Sequence, residues 1–150
     1  MQVTARIDYA VRAMVHIAAS EGATSRGEIA SAQAIPPKFL ESILLRLRQG
    51  GLLIAQRGTT GGYSLARDAA EITIADVVRV VDGPLAAVRG LPPEDTEYPA
   101  PAERLRDVWV ALRAAMRQVL ETTTIADLRG GRLPADVGRL LEPAEAWTRR

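Results

Sequence analysis

The sequence of 150 residues contains no cysteine, only one histidine (His16) and only one lysine (Lys38). The lack of cysteine excludes disulfides, thiolate metal sites and a cysteine nucleophile. His16 falls on the apolar stripe of a predicted helix, and neither a G-x-S-x-G elbow nor a G-x-x-x-x-G-K-[ST] phosphate loop is present. We therefore expect no enzymatic activity, no metal site and no resident cofactor.

Long uncharged apolar runs are also lacking, so the sequence predicts no contact with a membrane. Arg6, Asp8 and Arg12 interrupt the apolar pattern of the N-terminus, which argues against a signal peptide. An apolar share of 47% and a mean hydropathy of zero are typical of a globular domain. These features predict one compact cytoplasmic domain, with room for an appended element.

The net charge of only +1 conceals an uneven distribution. Residues 1–67 hold eight basic and four acidic residues, whereas residues 68–150 hold 11 basic and 14 acidic residues. A basic N-terminal half is the asymmetry expected if that half contacts phosphate. Chance segregation of charge on solvated surfaces is the alternative.

Apolar periodicity predicts three helices in the first third of the chain. Residues 5–19 form an amphipathic helix, and Ser25 with Glu28 fits a capping box that opens a short second helix. After a turn, the third helix covers residues 37–49, with Phe39 or Leu40 at the start of its buried stripe.

A β-hairpin is predicted directly after the third helix. Gly50 and Gly51 end that helix, one of them in the left-handed conformation, and residues 52–57 and 63–65 form the two strands. Three glycines are expected to supply positive φ angles at the tip: Gly58, Gly61 and Gly62.

Beyond the hairpin, Thr73 caps a helix that stops at Gly83, and residues 84–101 form an irregular loop with five of the nine prolines. A long helix begins at about residue 102, and its apolar stripe is expected to pack against a second copy of the chain. The stripe comprises Leu105, Val108, Trp109, Leu112, Met116 and Val119. A short helix is predicted at residues 135–142 of the tail.

Four segments, in this order and spacing, carry a resemblance to a known family: DYAVRAMVHIA, IPPKFLESILLRLRQGGLL, RGTTGGYSLARD and ITIADVVRVVDGP. They resemble the BadM/IscR/NsrR-type family of bacterial winged helix-turn-helix transcription regulators. The likeness covers about Met1–Pro84 and resumes at TTIADL near residues 123–128. It implies a mainly α fold with a small β-hairpin wing and a long C-terminal dimerisation helix. The implied divisions are a DNA-binding domain (1–83), an effector loop (84–101), a dimerisation helix (102–128) and a tail (129–150).

The resemblance also implies a homodimer that binds a pseudo-palindromic double-stranded DNA operator through the first turns of the third helix. Matching positions are Lys38, Glu41 and Ser42, with Phe39 where a tyrosine is common. Lys38 can donate to guanine or phosphate, Glu41 can accept from cytosine N4, and Ser42 suits either role. A merely solvated helix face is the alternative for each.

Arg57 matches the wing arginine of the family, and a narrow minor groove attracts such a side chain. Its alternative is an ion pair at the end of a strand. Arg46, Arg48 and Arg67 are expected to contact phosphate or remain solvated rather than read bases. Thr60 replaces a common glycine, which predicts a stiffer tip.

The chain departs from the family at the loop before the long helix. Many relatives carry three cysteines there that ligate an iron–sulfur cluster, whereas this loop has none. We therefore expect neither a cluster nor the redox sensing that depends on it. Asp8, which matches a carboxylate ligand of some members, is expected to pair with Arg12 one turn later.

The identity of the signal stays open at this point. Tyr9, His16, Tyr98 and Trp109 could line a small-molecule effector pocket, or all four could be ordinary packing residues. Regulation by a partner protein is a further option. We expect a repressor, since steric blocking requires no activation surface, and the competing function is a protein-interaction module that has lost DNA binding.

Overall fold

The computed structural model describes residues 2–58 and 61–149, which form seven α-helices and one two-stranded hairpin. The elements are α1 (Ala5–Ala19), α2 (Arg26–Gln33), α3 (Pro37–Gln49), β1 (Leu53–Gln56), β2 (Gly62–Leu65), α4 (Ile74–Val81), α5 (Leu105–Leu120), α6 (Ile125–Arg129) and α7 (Ala135–Leu140). The mainly α fold with a hairpin wing is thereby confirmed. Short 3-10 turns occupy residues 69–71, 93–95 and 144–147.

The predicted start of α2 is confirmed in detail. The Ser25 hydroxyl accepts a hydrogen bond from the Glu28 amide at 3.2 Å, and the Glu28 carboxylate accepts one from the Ser25 amide at 2.8 Å. These bonds satisfy two amides that the first turn of a helix would leave without partners. Hydrogen bonds to the Glu28 carboxylate, first from the Ser25 side chain and then from the Ser25 backbone amide, lower the pKa of Glu28, because they favour its ionised form.

Helix α3 buries one face completely and ends as predicted. Leu40, Ile43, Leu44 and Leu47 are inaccessible to solvent, whereas Phe39 is 57% exposed, so Leu40 is the residue that starts the buried stripe. Gly51 then takes the left-handed conformation (φ +73°) and turns the chain toward β1.

The core of the domain lies around α1, which packs against α2, α3, α4 and α6. Met14 and Ile17 of α1 and Val77 of α4 are buried there. The core also includes Ile125 of α6, which is inaccessible to solvent although it lies far along the chain.

The expectation of one helix over residues 102–128 is wrong. Helix α5 has 16 residues and ends at Leu120, so it is about 24 Å long at 1.5 Å per residue. The Thr122 and Thr123 hydroxyls donate back to carbonyl oxygens of the last turn. Thr124 then caps a separate helix, α6, by accepting from the Asp127 amide at 3.1 Å. The apolar periodicity alone predicts an end at about residue 123, and a run of three threonines separates α5 from α6.

The predicted domain boundary after residue 83 does not divide the hydrophobic core into two parts. The segment before α6 pairs with the segment before α4: the Ile74 amide donates to the Thr123 carbonyl, and the Ile125 amide donates to the Ile72 carbonyl, both at 2.9 Å. Arg129 also donates to the carbonyl of Ala18 at the end of α1. Residues 123–129 thus belong to the same core as α1–α4.

The tail forms the predicted short helix within residues 135–142, as α7. Trp147 beyond it is 72% exposed, and its indole nitrogen donates to the Leu141 carbonyl at 2.8 Å. No helix in the described part of the chain is both long and apolar enough to cross a membrane.

Candidate nucleic-acid interface

The outer face of α3 carries the predicted base-reading residues together. Lys38, Glu41, Ser42 and Arg46 are all exposed, on the side opposite the buried leucines and isoleucine. The Ser42 hydroxyl donates to the Phe39 carbonyl at 2.9 Å, so in this state its hydrogen is directed at the helix itself. The three candidates nearest the helix start thus lie on one polar, solvent-facing surface of its first turns.

A further residue joins this surface that sequence reasoning missed. Arg26, the first residue of α2, forms an ion pair with Glu41 at 3.1 Å. Both side chains are at least half exposed, so the pair is weak and can exchange partners. The only sequence signal was a basic residue at a helix start, which does not indicate a partner on another helix.

Phe39 belongs to a cluster that ties α1 to α3. The Phe39 ring meets the Tyr9 ring edge to face with centroids 6.3 Å apart, and the Arg12 guanidinium lies 5.6 Å from the Tyr9 centroid. Arg12 also forms the predicted ion pair with Asp8, at 3.1 Å, and donates to the Gln33 carbonyl. The orientation of α3 therefore depends on contacts with α1, which is itself joined to α2 through Arg12.

The hairpin pairs β1 with β2 in antiparallel register from Leu53↔Leu65 to Gln56↔Gly62. On its other edge, β2 pairs with Thr24 through two amide–carbonyl bonds between Thr24 and Tyr63, both 2.9 Å long. This bridge joins the wing to the residue that precedes the cap of α2. Arg57 lies exposed directly after β1.

The glycines of the wing serve different purposes from those expected. Gly58 has a positive φ (+114°), as predicted, but Gly61 and Gly62 do not. A Cβ on Gly61 would lie 2.5 Å from the Gln56 carbonyl oxygen, and one on Gly62 would lie 2.5 Å from the Thr24 carbonyl oxygen. These two positions require glycine because backbone passes close by. Thr60 lies outside the described residues, so stiffening of the tip stays a prediction.

Two of the three arginines that were predicted to contact phosphate lie on the exposed side of α3, and the third lies after the wing. Arg46 and Arg48 are exposed in the second half of the helix. Arg67 instead pairs with Asp76 at 3.2 Å, which ties the end of the wing to α4. Arg67 is therefore partly neutralised, whereas the α3 arginines face solvent.

The four residues considered for an effector pocket lie at different places in the described residues 2–58 and 61–149. Tyr9 contacts Phe39, and His16 lies at a depression with Ser20, Thr24 and Glu28. Tyr98 and Trp109 are joined by a hydrogen bond of 3.1 Å from the indole nitrogen to the phenol oxygen. A single effector pocket that contains all four residues is not formed within the described part of one chain, and it stays a prediction.

The apolar stripe of α5 is only partly covered by the rest of the chain. No residue of this helix is buried, and Val108 is 54% exposed. On its other side, Arg113 pairs with Glu94 at 2.6 Å, and this bond lowers the pKa of Glu94. The helix is thus tied to the preceding loop by polar contacts, while Leu105, Val108, Leu112, Met116 and Val119 form a stripe that the chain does not bury.

The residues present do not fit an iron–sulfur cluster. Such clusters require thiolate ligands, and the chain has no cysteine. The loop offers carboxylates instead, of which Glu94 is occupied by Arg113. Across residues 2–58 and 61–149, no three histidine or acidic side chains converge in a way that could hold a metal ion.

Comparison with known proteins assigns the family. The model of the Rrf2 family, described as an iron-dependent transcriptional regulator, matches residues 3–130. A protein of Mycobacterium tuberculosis named as an HTH-type transcriptional regulator is 49% identical over 148 residues, which cover 97% of this chain and 92% of that protein. CymR of Bacillus subtilis is 35% identical over 85% of this chain and 89% of its own length.

Solved structures show the same similarity. The structure of B. subtilis CymR, described as the global cysteine regulator of that organism, has a TM-score of 0.74 at 32% identity over 87% of this chain and 98% of that one. T. potens IscR has a TM-score of 0.70 at 26% identity, over 99% and 97% of the two chains. The resemblance to IscR-type regulators is thereby confirmed, and with its exposed helix α3 and hairpin wing this chain belongs to the Rrf2 family of DNA-binding transcriptional regulators.

Proposed function

We propose that two copies of this chain form a repressor that binds a pseudo-palindromic operator, with each α3 in a major groove and each wing against the adjacent backbone or minor groove. The observation that carries the proposal is the division of α3 into a fully buried apolar face and an exposed face with Lys38, Glu41 and Ser42. A helix held from behind in this way can enter a groove about 12 Å wide without losing its own core contacts. Repression follows from occupancy alone, because a dimer seated on a promoter blocks polymerase.

The chemistry of the three side chains assigns them different tasks. Lys38 donates to guanine or to phosphate, and Glu41 accepts from cytosine N4. Ser42 can rotate its hydroxyl away from the Phe39 carbonyl toward a base edge. Glu41 is the most selective of the three, since a carboxylate near phosphates is repelled unless it finds a cytosine amine.

Arg26 reduces that repulsion. In the unbound protein its guanidinium neutralises Glu41. When α3 enters the groove, the same guanidinium can stay beside the carboxylate or move to a phosphate at the start of α2, where amide dipoles also favour an anion. We therefore propose Arg26 as a positioning residue for Glu41.

The wing supplies a second contact. Arg57 is exposed and follows a strand that is anchored through β2 to Thr24. Because β2 is paired on both of its edges, with β1 and with Thr24, the conformations of the hairpin are limited, so that Arg57 reaches DNA with little loss of entropy. We assign it to a narrow minor groove, which attracts an arginine electrostatically.

Dimerisation is inferred from α5. A 16-residue amphipathic helix with no fully buried residue leaves part of its apolar stripe in water unless another surface covers it. A second copy of the same helix provides a self-complementary surface, as two-fold interfaces require.

A gel shift on the promoter of the protein's own gene, at roughly 0.15 M salt, tests DNA binding. We expect Lys38→Ala and Arg57→Ala each to weaken binding, the latter with a salt dependence smaller by about two counterions per dimer, one for each wing. Arg132→Ala removes an exposed arginine beyond α6 and serves as the matched control.

Equal affinities of the wild type and both variants would refute the assigned contact surface. Absence of any shift, on this promoter and on random-sequence DNA, would instead favour a protein-interaction module with the same fold. The control variant separates a general loss of positive charge from a loss at the proposed contacts.

A further inference from the structure

A cleft of about 500 Å³ lies between the segment after α4 and the middle of α5. Its walls are largely apolar, with Leu85, Val88, Trp109 and Leu112 among them, and one cation, Arg89, completes the lining. This volume falls within the range of small-molecule pockets, which typically combine an apolar surface with few polar groups.

The backbone at Arg89 is unusual. Val88 and Leu91 exchange two backbone hydrogen bonds, of 2.9 and 3.0 Å, so that Arg89 and Gly90 form a two-residue hairpin turn. Both have positive φ, +55° and +81°. Such turns favour Asn-Gly, and an arginine in the first position is disfavoured by contact between its Cβ and the backbone. Strained positions of this kind tend to persist where the side chain has a task.

The Arg89 side chain is held in place on an aromatic support. Its guanidinium lies 5.4 Å from the centroid of the Tyr98 ring, and the Tyr98 hydroxyl accepts from the Trp109 indole at 3.1 Å. Arg113 nearby is already paired with Glu94. Across the described ranges 2–58 and 61–149, no carboxylate is within ion-pair distance of Arg89, whose hydrogen-bond donors are thus available at the rim of the cleft.

From these observations we propose that the cleft binds a small organic monocarboxylate. Its carboxylate pairs with the Arg89 guanidinium, which can donate two parallel hydrogen bonds. Its apolar body packs against Trp109, Leu112, Leu85 and Val88. Trp109 and Leu112 also belong to the α5 stripe that we propose packs against a second copy of the chain, so the bound acid would lie beside that interface. Binding here does not depend on the proposed DNA contacts, since none of these residues belongs to α3 or the wing.

The test uses the full chain with Trp147→Phe, so that Trp109 is the single tryptophan that reports by fluorescence. Benzoate and hexanoate are the probes, and benzamide is the uncharged match to benzoate. We expect a saturable change in Trp109 emission with at least one acid, and none with benzamide at the same concentrations.

The decisive variant is Arg89→Asn in the same background. Asparagine suits the first position of this turn better than arginine does, so the melting temperature should rise while affinity for the acid falls about tenfold or more. Arg132→Asn, at an exposed arginine elsewhere, should leave both quantities unchanged.

Three results would overturn the proposal. One is no saturable response to either acid, and another is equal binding of benzamide and benzoate. The third is a lower melting temperature of Arg89→Asn with unchanged acid binding, because Arg89 would then serve the fold alone.

Discussion

Helices α3 and α5 are both amphipathic and of similar length, yet the chain treats them in opposite ways. The 13 residues of α3 include four apolar side chains that are wholly inaccessible to solvent, whereas the 16 residues of α5 include none that is buried. The apolar face of α3 is covered by the chain itself. That of α5 is only partly covered by the chain: Trp109 and Leu112 are half-buried, and Val108 is exposed.

The difference shows that periodicity locates an apolar face but does not say what covers it. In α3 the satisfied face makes the opposite, polar face available for DNA. In α5 the partly covered face is the one that we propose packs against a second copy of the chain.

The largest effect is expected from Leu44→Ala in α3. Removing a fully buried leucine should lower the free energy of unfolding by about 2–5 kcal/mol, through lost burial and the cavity left behind. Urea denaturation monitored by circular dichroism measures the loss. The loss of stability in Leu44→Ala should be the same at every protein concentration, because Leu44 lies in the core of one chain. Val108→Ala should cause a smaller loss. That loss should depend on protein concentration, because Val108 acts through the proposed dimer.

Val108→Asp should convert the dimer into a monomer. A carboxylate placed at an interface between two α5 helices would be desolvated without a partner, and should weaken association by about tenfold or more. Light scattering after size-exclusion chromatography measures the mass. Ala114→Asp, at an exposed position on the other side of α5, is the matched control. Unchanged mass in Val108→Asp would place the dimer interface elsewhere.

Thr124→Ala should lower the free energy of unfolding by about 1 kcal/mol, the usual cost of losing a helix cap. The residue caps α6 and bonds to the Asp127 side chain. Thermal denaturation of Thr124→Ala is compared with that of Thr148→Ala, a control variant near the C-terminus. The comparison separates the loss of the helix cap from a general effect of removing a threonine. Equal melting temperatures of the two variants would mean that α6 does not depend on its cap.

A small pH effect is expected at the same cap. Hydrogen bonds from Thr124, first through its side chain and then through its backbone, lower the pKa of Asp127. The stabilisation is therefore complete above the unfolded pKa of about 3.9 and is lost as the pH falls through the lower, folded value. Denaturation at decreasing pH should show a steeper loss of stability in the wild type than in Asp127→Asn. Parallel curves would contradict this role.

Local rules made much of the fold predictable. The Ser25–Glu28 box, Pro37 and Gly51 each act within a few residues of their own position, so the bounds of α2 and α3 could be read from the sequence. The end of α5 was missed because the threonines at 122–124 follow an unbroken apolar stripe.

Contacts between distant residues were not predictable. The candidate readers on α3 were found from a family resemblance, but Arg26 was not, because its partner Glu41 lies on another helix. The burial of Ile125 beside α1 likewise depends on pairing between segments about 50 residues apart in the chain. The requirement for glycine at position 62 could not be predicted either, because it depends on the close approach of the Thr24 backbone.

Selection of binding sites from random duplex DNA tests whether the exposed face of α3 reads bases. The wild type should select two inverted half-sites with centres about 10 base pairs, or a multiple of that, apart. Glu41→Ala should keep the spacing and lose the preference for cytosine at one position in each half-site. Identical selected sequences for the wild type and Glu41→Ala would contradict the account, because Glu41 would then make no base contact.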